Sequence, residues 1–484
     1  MSKKNALRRL SVIWRLKEAF EPSPTSPAPD TPTISKFLSI SKTNFLKDVK
    51  EDPAKGGKEW TVVMGNEAGG MLPDNFSYSF TDTTVDLDSI ASSIAYAWVL
   101  SEVKKTPAVA LIQLERADLN LRAENLHAFK LAGLTDTLDE LLTLSEISEF
   151  QPVPFEKFVL VDHNRLGTLV NRPEVKVVSI FDHHDDEGLY LDASPRIISP
   201  VGSCASLIAT QLPSEPLADL AFLLLSAILI DTDGLKPGGK AVQADRDSAL
   251  ILAPKSTIAN SIPPLSALSP IDHPNPDALF NAQAIKDLTK TLKEKKSEVS
   301  HLSPFDLIRR DYKEYTHTLS WATGSPAIKV GLSTVVSGLK SWASDGALEQ
   351  AVVRWMRQRN ITILGVCTSF RDTKKMSRKS DKGKHKREQA WFVLAETELA
   401  NIPGQALTTD VLAKHLWTGL EAAATLQLEK YKRYKYLEKS SRLPPESRAK
   451  AYKQKNVDAS RKEIAPLVKS LLESPLADDQ VKKD

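Results

Sequence analysis

At 484 residues, 41% hydrophobic and 26% charged, the chain is long enough for two or three globular domains. Its 64 basic and 61 acidic side chains leave a net charge of +3, so no global field demands nucleic acid. Two cysteines, Cys204 and Cys367, exclude a disulfide scaffold and a cysteine-ligated zinc site and fit a reducing compartment, while the longest apolar run, Leu217 to Ile230, is too short for a bilayer.

In chain order, Met1 to Phe20 is basic and weakly amphipathic, which suits either a frayed terminus or a mitochondrial presequence. Glu21 to Thr33 is rich in Pro, Ser and Thr and reads as an extended linker, so residues 1–33 are expected to be disordered. Trp60 to Gly65 (WTVVMG) reads as a first strand leading into Asn66. Asp86 and Asp88 then stand just before a helix rich in small residues, Ser89 to Val103. Ala108 to Leu114 is another strand, followed by Arg116 and Arg122, a pair that suits either phosphate contact or an ordinary surface.

Lys157 to Asn164 (KFVLVDHN) is an apolar strand ending in Asp162-His163-Asn164. Val175 to Gly188 repeats the arrangement: a β-branched run ends in Asp182-His183-His184-Asp185-Asp186. Buried strands of a parallel sheet read as continuous apolar runs, and ligands bind outside their carboxyl ends. Gly202-Ser203 reads as the cap of a following helix. Leu217 to Asp233 is an apolar helix-length run delivering Asp231 and Asp233, and Val242 to Ala253 is a further helix. A single acidic turn after a strand is commonplace. Three apolar elements ending in carboxylate, and a fourth opening on a carboxylate pair, point instead to divalent metal ions and proton transfer.

Pro254 to Asp277, rich in Pro, Ser, Ala and Asn, reads as a domain boundary, and Ala282 to Leu302 as a solvated connecting helix. Strands follow at Ile328 to Val336, Ile361 to Thr368 and Ala390 to Ala395. The basic stretch Arg371 to Arg387 reads as a flexible hairpin loop.

The motifs DLDS (Asp86 to Ser89), VDHN (Val161 to Asn164), FDHH (Phe181 to His184) and IDTD (Ile230 to Asp233), in this order, resemble those of the DHH phosphoesterases. Leu307 to Lys313 and Ser460-Arg461-Lys462 resemble the opening and closing of a DHHA2 domain. Over residues 59–472 the chain is most similar to the fungal exopolyphosphatases, relatives of prune-type proteins and family II inorganic pyrophosphatases. Residues 70–85 split a pattern like GNEA-DLDS and are an insert, either a loop beside the site or an intron carried into the reading frame.

That resemblance implies an α/β protein in two parts. A DHH domain (34–253), with a largely parallel sheet flanked by helices, precedes a linker and connecting helix (254–300). A smaller α/β DHHA2 domain (301–475) and a tail (476–484) follow, with the active site in the cleft between the domains. It further implies two divalent cations (Mg²⁺, Mn²⁺ or Co²⁺) held by Asp86, Asp88, Asp162, His183 and Asp231, with Asp162 bridging. Asn66 falls where family II pyrophosphatases carry a metal-binding histidine. His184 would be the general acid beside the leaving group, while Asp182, His163 and Asp233 orient the ligands. Arg461, Lys462, Arg310 and Lys313 would hold substrate phosphates.

The implied activity is release of orthophosphate from the ends of inorganic polyphosphate. The alternatives are a pyrophosphatase, a prune-like short-chain polyphosphatase or phosphodiesterase, or a catalytically dead interaction protein. The expected substrate is polyphosphate or pyrophosphate, with no nucleic acid and no membrane partner. The expected protein is a monomer of the cytoplasm, or of the mitochondrial matrix if the basic N-terminus is a presequence.

Overall fold

The computed structural model describes residues 31–66, 85–150, 153, 155–167, 170, 172–262, 277–322, 324–372, 383–395 and 407–474. They divide into two units, the first reaching Lys296 and the second starting at Ser297. The basic N-terminus, the insert up to Thr84, Ser377-Arg378-Lys379 and the tail beyond Ser474 lie outside the described residues.

In the first unit the continuous apolar runs form a parallel sheet of six strands. These are β1 (Thr61–Met64), β2 (Ala108–Ile112), β3 (Leu142–Thr143), β4 (Lys157–Val161), β5 (Lys176–Asp182) and β6 (Arg196–Ile198). Their order is β3-β2-β1-β4-β5-β6. The chain therefore runs outward from β1 in one direction, then returns to β4 and runs outward in the other. The reversal lies between β1 and β4, and a crevice for ligands opens at such a switch point.

Helices cover both faces of the sheet. On one, α1 (Ile34–Glu51) packs Phe45 and Val49 against Trp60, Phe155 and Phe158, with the Phe45 and Trp60 rings 5.6 Å apart edge to face. On the other lie α2 (Leu87–Trp98), α3 (Cys204–Ala209), α4 (Ala218–Asp231) and α5 (Gln243–Leu252). Every residue of α4 from Leu220 to Ile230 is buried, which is why this helix is apolar all round. Each such leucine contributes roughly 1.5–3 kcal/mol relative to an exposed one.

One element departs from expectation. The helix α6 (Gln283–Ser297) is not a solvated connector, because Ile285, Leu288 and Leu292 are buried in the core of the first unit. Three apolar residues spaced by three and four make a narrow stripe that the surrounding lysines obscure in the sequence.

The second unit holds a mixed sheet of order β11-β12-β10-β9-β8-β7. Its strands are β7 (Tyr312–Thr318), β8 (Ala327–Val335), β9 (Ile363–Asp372), β10 (Lys384–Val393), β11 (Leu428–Lys430) and β12 (Arg448–Gln454). Among the described strands only β8 and β9 run parallel, and α8 (Ala347–Arg359) makes their crossover, while the short α7 (Pro304–Arg310) precedes β7. The helices α9 (Thr409–Ala422) and α10 (Arg461–Glu473) close one face with Leu412, Leu416, Ile464 and Val468 over Trp391. The basic stretch 371–387 is not a loop throughout. Arg371 pairs with His385 and Ser369 with Arg387, so both ends of the stretch are sheet. Polar alternation on a half-exposed antiparallel hairpin reads as loop when only its charge is counted.

Among the described residues, no helix is long and apolar enough to cross a membrane.

Candidate metal centre

The tips of β4 and β5 and the ends of α2 and α4 deliver the acidic and imidazole groups, with Asn66 after β1 and the first amides of α3 in contact with them. Asp162 follows β4 directly and holds φ at +64°, a left-handed conformation that Asp tolerates better than most residues. Its amide donates to Phe181 O at 2.9 Å, which ties the tip of β4 to that of β5.

Three sequence motifs converge on this carboxylate. Ser89 Oγ donates to Asp162 Oδ2 and accepts from Asn66 N at 3.2 Å. Asn66 Nδ2 donates to Asp162 O at 3.3 Å. The approach is close: a Cβ at Gly65 would lie 2.7 Å from Ser89 Cβ, so only glycine lets β1 and α2 meet there. Asp162 Oδ1 is buried and lacks a hydrogen-bond partner, although His183 Nε2 lies 3.0 Å away out of alignment. His184 Nδ1 is 3.8 Å from the same oxygen, and Asp162, His183 and His184 can together present three ligand atoms to one cation.

His183 Nε2 also approaches Asp88 Oδ2 at 3.9 Å. The Asp88 carboxylate takes the first amides of α3, from Cys204 N and Ala205 N at 2.7 Å each. The capping role expected of Ser203 is therefore filled from another element, and Ser203 Oγ is buried without a partner. Asp86 caps its own helix, accepting from Asp88 N at 3.1 Å and Ser89 N at 3.2 Å.

The electrostatics follow from this crowding. Burial and then Asp162 push the Asp88 carboxyl up to about 7. The same two causes raise Asp86, against the opposing charges of Arg122 and Lys296. Burial, then Asp86 and Asp88, hold Asp231 well above the usual carboxylate range. Burial disfavours a charged His183, yet Asp162 and Asp88 carry it up to about 10. Like charges held together in a poorly solvated place are stabilised by a cation between them.

Asp182 is fully buried and fixes the histidine pair. Its Oδ1 accepts from His183 N at 2.8 Å and His184 N at 3.2 Å, and lies 2.8 Å from His184 Nδ1. That contact gives His184 Nδ1 the proton, leaves Nε2 as the working atom, and raises the ring's pKa. Asn164 closes the loop by donating to Asp182 Oδ2 and to Asp185 O at 3.0 Å and accepting from Glu187 N at 3.0 Å. His163 Nδ1 sits 2.9 Å from Val161 O, and Nε2 is buried without a partner. Asp233 pairs with Lys293 of α6 and lies 3.9 Å from Lys236.

Two contributors are not among the residues expected from the sequence: Ser89, the last letter of DLDS, and α6, whose Lys296 acts on Asp86 and Asp231. A basic run at the end of a helix with a narrow apolar stripe was the available signal. Arg116 is committed to Glu146, Leu138 O and Leu141 O, whereas Arg122 pairs with Glu124 at 3.1 Å.

In the second unit, Arg461 opens α10 with Nη1 2.8 Å from Asp311 Oδ1. This brings it beside the Arg310 to Lys313 stretch from 150 residues earlier. Arg310 is buried, Lys313 half-buried and Lys462 exposed.

The donor set contains carboxylates and imidazoles but no thiolate, since Cys204 Sγ donates to Phe181 O. Together with the unpartnered Asp162 oxygen, this suits Mg²⁺, Mn²⁺ or a similar divalent ion.

Residues 78–228 match the profile of the DHH family, N-terminal domain, and residues 290–471 match the DHHA2 domain. The chain is 32% identical over 258 residues to a "Putative exopolyphosphatase" of Schizosaccharomyces pombe, covering 50% of this chain and 60% of that one. It is 27% identical over 266 residues to Exopolyphosphatase PRUNE1 of Rattus norvegicus, covering 52% and 48%. It thus spans about half the length of these relatives. A solved "putative family II inorganic pyrophosphatase" of Methanococcus jannaschii aligns over 85% of this chain and 99% of its own, with 18% identity and a TM-score of 0.44.

Proposed function

We propose that this chain, a DHH-family protein with a DHH domain followed by a DHHA2 domain, hydrolyses terminal phosphoanhydride bonds of inorganic polyphosphate. The observation that carries the reading is the buried, unpartnered Asp162 oxygen, set among two imidazoles and three crowded carboxylates. The exopolyphosphatase names of the relatives support the substrate class.

Asp86, Asp88, Asp162, His183 and Asp231 would hold two divalent cations, with Asn66 at their edge. When bound, such ions screen the anionic substrate and lower the pKa of an attacking water. The chain's own residues do the rest. Ser89 and Asn66 fix Asp162 so that its other oxygen, beside His183, keeps one orientation. His184, kept protonated at Nδ1 by Asp182, donates the Nε2 proton to the leaving phosphate oxygen. Its side chain is 46% exposed, against 18% for His183, as befits the ring that meets substrate. Arg461, Lys462, Arg310 and Lys313 of the second unit bind phosphate oxygens by charge-assisted hydrogen bonds.

The test is phosphate release from long-chain polyphosphate, pyrophosphate and cyclic AMP with Mg²⁺ or Mn²⁺. Preference for long-chain polyphosphate supports the reading. Preference for pyrophosphate or cyclic AMP replaces the substrate, and no turnover of any of them removes the activity.

A further inference from the structure

The register of β9 and β10 places a row of polar residues on one sheet face beyond the start of α10. Cys367, Ser369 and Arg371 alternate along β9, and Gln389, Arg387 and His385 lie directly opposite on β10. Trp391 and Cys367, further along this face, are buried under α9 and α10, so the row runs out from beneath those helices to Arg371 at the surface. Residues two apart on a strand are about 6.7 Å apart, so Cys367 to Arg371 covers about 13 Å. Arg387 Nε reaches Val457 O, four residues before Arg461, so the row starts near the proposed phosphate-binding arginine.

The two arginines of this row are held by neutral acceptors, and the His385 ring, kept from protonation by burial and by those arginines, meets a hydroxyl. Arg387 Nε donates to Val457 O at 2.6 Å, Arg371 Nη1 donates to Gly383 O at 3.3 Å, and His385 Nε2 lies 2.9 Å from Ser369 Oγ. Among the described residues, no carboxylate lies within ion-pair distance of any of the three. Lys386, on the opposite face of β10, is by contrast paired with Asp372. Asp458 and Glu463 reach Arg387 only through space. Fixing a guanidinium through a backbone carbonyl orients it without cancelling its charge, which is an arrangement suited to an anion. Among the described residues, no Phe, Tyr or Trp stands at the outer end of the row, which leaves a base-bearing strand only the His385 ring to stack on.

We propose that Arg371, His385 and Arg387 form an accessory subsite for the phosphates of a long polyphosphate chain beyond those held at Arg461. This rests on the reading of the protein as a polyphosphate hydrolase. The subsite would confer preference for long chains, because a short oligophosphate ends before reaching it.

The experiment compares full-length wild type with Arg371→Gln, with Arg371→Gln/Arg387→Gln and with Arg387→Lys. KM is measured for long-chain polyphosphate and tripolyphosphate. Binding of fluorescently labelled long-chain polyphosphate is followed without divalent metal, with a single-stranded oligonucleotide as competitor. Losing one arginine contact should raise the long-chain KM about ten-fold. The tripolyphosphate KM should change far less, and Arg387→Lys should recover part of the loss. Arg371 is exposed, so its single variant reports even if the double variant folds poorly. An equal rise in both KM values overturns the proposal, as does displacement of the probe by the oligonucleotide at equal charge concentration. If the wild type turned over neither substrate, the hydrolase reading would fall and the binding arm would still decide. Weaker binding in the variants keeps the subsite, and unchanged binding removes it.

Discussion

Asp231 offers the sharpest test of the metal centre, because replacing it should stabilise the metal-free protein. It is the last residue of the fourteen-residue helix α4, where the helix dipole disfavours an anion. Its low-polarity surroundings, and then Asp86 and Asp88, make its ionised form costly, a penalty the metal-free fold bears at neutral pH whether it carries the charge or takes up a proton. Asp231→Asn keeps the shape and removes the charge. Relief of the dipole contributes about 0.3–1 kcal/mol, and relief of repulsion from the neighbouring carboxylates at least about 1 kcal/mol, the value for one close pair fully screened by water. Together these give about 1–2 kcal/mol, or about 2–8 °C in Tm for a unit of this size. Manganese should narrow the gap and, for a hundred-fold loss of affinity, reverse the ranking. At a hundred times Kd, the ion stabilises wild type by about 2.7 kcal/mol. A ten- to hundred-fold loss of affinity cuts that to about 1.4 or 0.4 kcal/mol at the same concentration. Thermal and urea unfolding in EDTA and in Mn²⁺ measure both quantities. A metal-free variant less stable than wild type, or a full manganese shift in the variant, would refute Asp231 as a cation-facing carboxylate.

Asp162→Asn should lower kcat about a thousand-fold, ~4 kcal/mol, with the fold intact because Asn tolerates the left-handed backbone at φ +64°. Near wild-type phosphate release and metal affinity would take Asp162 out of the centre. Arg461→Ala should cost about ten- to a hundred-fold in kcat/KM without changing Mn²⁺ affinity in calorimetry. Arg461→Lys should restore only part, since an ammonium lacks the planar fork. Glu146 gives a pH test away from the centre: burial alone would raise its carboxyl, but Lys42, Thr143 and Arg116 bring it from 4.5 down to about 2. A carboxylate with a lowered folded pKa stabilises above its unfolded value and loses that contribution as pH falls, here between 4.5 and about 2. Glu146→Gln should therefore cost about 1–2 kcal/mol at pH 7, less than the full shift because solvent screens the pair, with the deficit closing toward pH 2. Urea melts showing a constant deficit from pH 7 to 3 would assign it to shape instead.

What could be read from the sequence was local. Apolar runs capped by Asp162, His183 and Asp231 announced strand tips and a helix end, because burial pins the backbone that carries them. Long-range partnerships were not legible. Nothing near Asp88 indicates that its oxygens take the amides of Cys204 and Ala205, 116 and 117 residues later. Ser89 reads as an ordinary first-turn serine until β4 brings Asp162 against it. The docking of α6 was hidden by composition, since three buried residues among lysines hardly alter a mean polarity. The basic hairpin failed for the same reason: charge content says little about strand pairing, and register does.

The capping of α10 has a consequence for how such proteins diversify. Ser460 Oγ accepts from Lys462 N at 3.2 Å, and Ser460 O takes Glu463 N and Ile464 N at 3.1 and 3.0 Å. Glu463 in return accepts from Ser460 N at 2.6 Å. These main-chain donors are already occupied within the helix's own first turn, so an anion meeting this end is recognised by side chains. Backbone recognition is inherited with the fold and resists change, whereas an arginine or lysine is one codon away from something else. A scaffold built this way can shift its taste in substrate length through surface substitutions while leaving the helix, the sheet and the chemistry untouched.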